Sequence, residues 1–136
     1  MDSIYLDTDI ILDLLCRREP FYSPAALLFS KVERNEIRAF VSPLSFANLF
    51  YILRKYGSSS VAVDALQKLR QLVTVLPVTE KIIDAALVSG FTDFEDAIQY
   101  HTALENSVPY LITRNKKHNR RVSITICTAE EFLSSV

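Results

Sequence analysis

Residues 4–13 read IYLDTDIILD, in which a short apolar run ends at Asp7 and apolar residues then recur at helical spacing. The run Ile4–Leu6 predicts a buried strand, and the spacing after it predicts a helix with Thr8 or Asp9 as its N-cap. A carboxylate directly after a buried strand lies at the carboxyl edge of a parallel sheet, where α/β proteins bind ligands. Asp7 is therefore the first candidate functional residue.

The same alternation of short apolar strands and longer helices continues along the chain. Further strands are predicted at 38–41, 73–78, 110–112 and 124–126. Helices are predicted to begin at Ser23-Pro24 and Ser42-Pro43, with the serine as N-cap and the proline at the first helical position. Others are predicted over 61–72, from Thr79, from Asp93 to about 106, and over 129–133. Nearly continuous apolar strands between helices indicate an α/β fold with a parallel sheet covered on both faces.

Composition places the chain among ordinary globular proteins. Its 136 residues are 49% hydrophobic and 23% charged, with two glycines and five prolines. This length fits one domain with its own core, and the composition excludes a disordered or collagen-like chain. The two cysteines, Cys16 and Cys127, match no zinc spacing and are expected in the core. No signal peptide or membrane-spanning run is visible, so a cytoplasmic protein is expected.

A second acidic cluster, Asp93-Phe94-Glu95-Asp96, opens a predicted helix. The spacing of Asp93 and Asp96 fits a helix cap and equally fits two carboxylates directed at one patch of surface. Glu95 is expected to face elsewhere, in solvent. Asp13, on the body of its helix, is likewise expected in solvent.

A basic segment follows the fourth predicted strand. Residues 106–129 contain five basic residues and no acid, although the whole chain has 15 basic and 16 acidic residues. This segment fits either a solvated loop or a surface that contacts a phosphate backbone. Carboxylates that converge in a crevice suit a hard divalent cation, which orients a water and neutralises a phosphodiester. Together these features describe a metal-dependent nuclease.

The sequence resembles the PIN domain family in four segments that occur in the family's order: Leu6-Asp7-Thr8-Asp9, Ser45-Phe46-Ala47-Asn48-Leu49, Asp93-Phe94-Glu95-Asp96-Ala97 and Ile112-Thr113-Arg114-Asn115-Lys116. The resemblance implies a three-layer α/β/α fold with a five-stranded parallel sheet, and a single PIN-like domain over residues 1–136. It also implies an endoribonuclease dependent on Mg²⁺ or Mn²⁺. Many bacterial members are VapC-type toxins that a small antitoxin neutralises and that are often dimeric.

The resemblance also assigns site residues. Asp7 and Asp96 match metal-binding acids, with Asp93 as an auxiliary. Two positions depart from the family pattern, because Asn48 stands where a Glu is usual and His118 stands where an acid commonly follows. The remaining members of the implied site are the polar Thr113 and Asn115 and the RNA-contacting Arg114, Lys116, Lys117, Arg120 and Arg121.

Two other interpretations stay open. Asp7 and Asp9 superficially form the Asp-x-Asp pair of a haloacid-dehalogenase-type phosphatase, but no acid follows the late strand before Glu130. The departures at Asn48 and His118 instead fit a degenerate PIN domain that binds RNA or a partner protein without cutting. The aromatic residues Phe46, Phe50 and Tyr51 fit either a homodimer face or core packing.

Overall fold

The computed structural model describes residues 1–114 and 123–135. Within them the strands are β1 Asp2–Leu6, β2 Ile37–Val41, β3 Val73–Val75, β4 Tyr110–Ile112 and β5 Thr125–Cys127. The helices are α1 Thr8–Leu15, α2 Tyr22–Glu33, α3 Pro43–Tyr56, α4 Ser59–Leu72, α5 Glu80–Leu87, α6 Phe94–Glu105 and α7 Ala129–Ser134.

The strands form one parallel sheet in the order β3-β2-β1-β4-β5. The chain builds β1, β2 and β3 towards one edge and then returns to place β4 on the other side of β1. The strand order therefore reverses between β1 and β4, whose last residues Leu6 and Ile112 are register partners. In open parallel sheets the crevice at such a reversal is the usual place for a ligand.

Helices cover both faces of the sheet, as expected for a three-layer α/β/α fold. Successive side chains of β1 point to opposite faces, so Ile4 and Leu6 pack in one cluster with α1, α2, α3, α4 and α7. Tyr5, between them, packs in another cluster with Tyr100 and Ala103 of α6. A third cluster joins α5 to α6. The apolar runs predicted as buried strands thus form the centre of the molecule.

Several helix starts follow the sequence signals. Asp93, Thr79 and Thr128 accept hydrogen bonds from backbone N–H groups in the first turns of α6, α5 and α7. The predicted caps of α1 and α2 are wrong. Asp7 occupies the N-cap position of α1 because the helix begins directly after β1. The α2 helix begins at Tyr22, and Pro24 fits in its first turn because N–H groups there have no helical partner.

The third strand is shorter than the sequence predicts. It ends at Val75, although the N–H of Leu76 still donates to the carbonyl of Val41 at 2.8 Å. Pro77 has no N–H and therefore cannot continue the ladder. In the part of the chain that the structure describes, no helix has the length and apolarity needed to cross a membrane.

Candidate functional site

Asp7 is a buried carboxylate at the strand reversal, with 9% of its surface exposed. Although it stands at the N-cap position of α1, its side chain makes no capping hydrogen bond. Its Oδ2 instead accepts a hydrogen bond from Thr113 Oγ1 at 2.7 Å, and its Oδ1 accepts one from Gln99 Nε2 at 3.1 Å. Burial raises the pKa of Asp7, and the hydrogen bonds from Thr113 and Gln99 oppose that rise. One carboxylate thus links β1, β4 and α6.

Gln99 is a site residue that sequence reasoning missed. It lies three positions after Asp96 on α6, so both side chains lie on neighbouring parts of one helix face. The sequence signal that could have identified Gln99 is this spacing, because it places a polar residue on a helix face that is otherwise buried. Gln99 is only 2% exposed, and its Oε1 has no hydrogen-bond partner among the described residues.

Asp96 lies on the first turn of α6 and lines the same space as Asp7. The backbone N–H of Asp96 donates to Asp93 Oδ1 at 3.1 Å, so Asp93 acts as the cap that its spacing predicts. Burial is the largest cause that raises the pKa of Asp96 to about 7, and the negative charges of Asp93, Asp7 and Glu95 contribute to the same rise. The raised pKa therefore reflects burial of the Asp96 carboxyl group among like charges.

These acids share one open hollow of about 450 Å³ at the carboxyl edge of the sheet. The structure brings together on it the predicted residues Asp7, Asp93, Asp96 and Asn48. Asp9 and Glu95 also line it, as do Thr8, Leu12, Tyr51 and Ile52. It shares Asp7 and Asp96 with a small cavity of about 20 Å³, room for about one water, which Gln99 also lines.

Glu95 does not face away from the site, and its expected place in solvent is wrong. It is partly buried on the wall of the hollow, where the Asn48 side chain hydrogen-bonds to its carboxylate. Burial raises the pKa of Glu95, the Asn48 hydrogen bond lowers it, and the charges of Asp7 and Asp93 raise it. The prediction was wrong because helical spacing gives the direction of a residue but not how far a glutamate side chain reaches.

Two arginines flank the acidic hollow. Asp13, expected in solvent, has a side chain only 1% exposed and pairs with Arg18 at 3.1 Å and Arg114 at 3.2 Å. Asp9 pairs with the same two guanidinium groups at 3.2 and 3.7 Å. Arg114 also lies over the ring of Phe21, with 4.1 Å between its Cζ and the ring centroid. These two ion pairs occupy the Asp9 carboxylate, which argues against the phosphatase role for Asp9.

Several predicted site residues lie outside the described residues: Asn115, Lys116, Lys117, His118, Arg120 and Arg121. Thr113 and Arg114 are described and lie at the end of β4, where the basic segment begins. The start of that segment is therefore on the same edge of the sheet as Asp7.

The acidic hollow has the donor chemistry of a site for a hard divalent cation. Its oxygen donors come from several elements, and the raised pKa values of Asp7, Glu95 and Asp96 reflect burial and mutual repulsion that a cation would relieve. Within residues 1–114 and 123–135, no three acidic, His or Cys side chains come close enough to bind one ion together. Because Mg²⁺ commonly keeps several waters and takes only one or two carboxylates, the donor set still fits such an ion.

A family model and several solved structures are similar to this chain. A family model described as a PIN domain matches residues 3–117. A toxin–antitoxin complex from Klebsiella pneumoniae contains a similar chain, with a TM-score of 0.71, 19% identity, and coverage of 93% of this chain and 98% of that chain. VapBC-1 from nontypeable Haemophilus influenzae has a TM-score of 0.69 and 20% identity, covering 94% and 98%.

A third similar structure is Mycobacterium tuberculosis VapC20, a toxin that cleaves the sarcin-ricin loop. It has a TM-score of 0.68 and 17% identity, covering 85% of this chain and 92% of that chain. Identities this low show a common fold and nothing finer. No curated protein matches the chain.

Proposed function

Because the chain belongs to the PIN domain family, we propose that it is a metal-dependent endoribonuclease and the toxin of a toxin–antitoxin pair. The observation that supports this most is the acidic hollow at the reversal between β1 and β4. There the carboxylates of Asp7 and Asp96, far apart in sequence, line one surface. Convergent carboxylates at this edge suit a divalent cation and a phosphodiester substrate.

Asp7 and Asp96 would bind Mg²⁺ or Mn²⁺ directly, and Asp93 would assist through waters of the ion. When bound, such an ion lowers the pKa of a water and neutralises charge on the phosphodiester. Thr113 and Gln99 each donate a hydrogen bond to Asp7, so they orient its carboxylate and favour its ionised form. Asn48 and Asn115 would serve as polar supports of the same site.

RNA would contact the protein through the basic segment that follows β4: Arg114, Lys116, Lys117, Arg120 and Arg121. Arg114 is held by Asp13, so it would fix the start of this segment beside the hollow. The exposed ring of Tyr51 lines the hollow, and the guanidinium of Arg54 lies 5.4 Å from its centroid. Exposed aromatic rings and arginines are the groups on which unpaired bases stack.

A small antitoxin protein and a second copy of this chain would be its protein partners. The toxin–antitoxin complexes with the same fold support the first partner by analogy of fold. Tyr51 is 57% exposed, whereas Phe46 and Phe50 pack against the main core, so only Tyr51 remains for a dimer face among those three residues. Light scattering of the purified protein would test for the dimer, and sequencing of the neighbouring gene would test for the antitoxin.

Incubation of the purified protein with RNA and Mn²⁺ tests the proposal, beside the variants Asp7→Asn and Asp96→Asn. Asp84→Asn, which removes an exposed carboxylate from α5, is the matched control. Cleavage by the parent and the control, with none by the two site variants, is the expected result. RNA binding without cleavage by all four proteins would instead favour the degenerate PIN domain, the reading that the neutral Asn48 supports.

A further inference from the structure

The wall of the hollow formed by α3 carries no negative charge of its own. Asn48, Tyr51 and Ile52 line the hollow from this helix, and residues 43–56 contain no Asp or Glu. The carboxylates come instead from the end of β1, the start of α1 and the start of α6. A cation in the hollow would thus have acidic oxygens on two sides and only the Asn48 amide on the third.

Glu95 supplies a carboxylate to that third side. It belongs to α6 but lines the hollow and hydrogen-bonds to Asn48, so its carboxylate bridges from α6 towards α3. An acid in the first turn of a helix is sufficiently explained by the helix dipole when it lies in solvent. Glu95 is partly buried and faces the like charges of Asp7 and Asp93, a placement that the dipole does not require.

Gln99 gives an independent indication that the space beside Asp7 and Asp96 accommodates a ligand. Its side chain is almost completely buried, and its Nε2 is used in the hydrogen bond to Asp7. Its Oε1 lacks a hydrogen-bond partner among the described residues, and Gln99 lines the small cavity together with Asp7 and Asp96. A buried oxygen acceptor without a donor costs free energy that a water or a hydrated cation would recover.

We infer that Glu95 is a further cation-binding residue of this site, and that Asn48 is the residue that positions its carboxylate against α3. This inference rests on the proposed function, since it adds one residue to the same metal site. Glu95 would bind the ion through one of the ion's waters, and Asn48 would donate its amide N–H to the carboxylate oxygen that is turned away from the ion. Loss of such a group typically lowers metal affinity about 10- to 100-fold.

Titration calorimetry of the full chain with Mn²⁺ alone, without RNA, tests the inference. Glu95→Gln should weaken Mn²⁺ binding about tenfold or more, whereas Glu80→Gln should leave it unchanged. Glu80 is the matched control because it is an exposed acid in the first turn of another helix, α5. Urea unfolding of each variant, measured with EDTA, confirms that the fold is intact.

A double variant separates the charge of Glu95 from its packing. Since Asn48 contacts the Glu95 carboxylate, Asn48→Glu combined with Glu95→Gln returns a carboxylate to the same place from α3. It should recover most of the lost Mn²⁺ affinity. A double variant that binds no better than Glu95→Gln would overturn the inference, because the loss would then come from packing.

Asp96→Asn distinguishes failure of the inference from failure of the proposed site. If Asp96→Asn loses Mn²⁺ affinity and Glu95→Gln keeps it within twofold, Glu95 is not a cation-binding residue and the proposed site stands. If the parent binds no Mn²⁺, or if Asp96→Asn binds as tightly as the parent, both the proposed site and the inference are wrong.

Discussion

Asp96→Asn should stabilise the metal-free protein at alkaline pH. The pKa of Asp96 is raised from 3.8 to about 7, so the folded protein keeps a proton that the unfolded chain releases near pH 4. Because the folded state binds more protons between about pH 4 and pH 7, its stability falls as pH rises through that window. Asparagine has nearly the same shape as aspartate and cannot ionise, so the variant avoids this loss of stability.

The size of the effect follows from the same shift. A pKa raised from 3.8 to about 7 would be worth about 4 kcal/mol at about 1.4 kcal/mol per pH unit for a fully buried group. Asp96 is only partly buried, so solvent screening reduces the expected gain to roughly 1–2 kcal/mol at pH 8. At pH 4.5 the gain should shrink to a few tenths of a kcal/mol, about a quarter of its value at pH 8, since most of the window lies above that pH.

Urea unfolding in EDTA at pH 4.5, 6 and 8 measures this gain, with Asp84→Asn as the control for a general loss of negative charge. The free energy of unfolding of Asp96→Asn should exceed that of the parent by an amount that grows with pH, at constant m-value. Saturating Mn²⁺ should then reverse the order, because binding at about 100 times Kd adds about 2.7 kcal/mol to the parent alone. A gain that does not depend on pH, or a loss of stability at pH 8, would refute the electrostatic reasoning.

Three further predictions concern the surroundings of the hollow. Thr113→Val should lower the free energy of unfolding at pH 8 by about 1–3 kcal/mol, because Asp7 Oδ2 loses a buried donor; Thr74→Val, at an exposed position of β3, should change it little. Asp13→Asn should lower the free energy of unfolding in urea by about 2 kcal/mol or more, because two guanidinium groups lose their buried carboxylate partner. Asp64→Asn, the control in an exposed ion pair, should lower it by less than about 0.5 kcal/mol. The third prediction concerns the basic segment, with Ala in place of these residues: Lys116, Lys117, Arg120 and Arg121. The slope of log binding constant against log salt concentration, measured by fluorescence anisotropy with labelled RNA, should decrease in magnitude by roughly one for each lost phosphate contact. An unchanged slope would show that the segment does not contact the RNA backbone.

Much of the fold could be predicted from local pattern, because burial and capping act over a few neighbouring residues. The apolar run before Asp7 placed a carboxylate at the carboxyl edge of a buried strand, and the spacing of Asp93 and Asp96 identified the cap of α6. The starts of α3 and α7 followed from Ser42-Pro43 and Thr128 in the same way. Such signals depend on backbone geometry that a short segment contains by itself.

The partners of the acidic side chains were decided only by the tertiary structure. Asp7 takes its hydrogen bonds from Thr113 and Gln99, and Asp13 is buried against Arg114, about a hundred residues away in the chain. Helical periodicity indicates which face of a helix a residue occupies but not what packs against that face, so Asp13 and Glu95 were both expected in solvent. Sequence alone therefore determined which residues end the strands and open the helices. The packing of α6 and α3 across the reversal between β1 and β4 determined which charges share one hollow, because charge interactions depend on distance in space and not on separation along the chain.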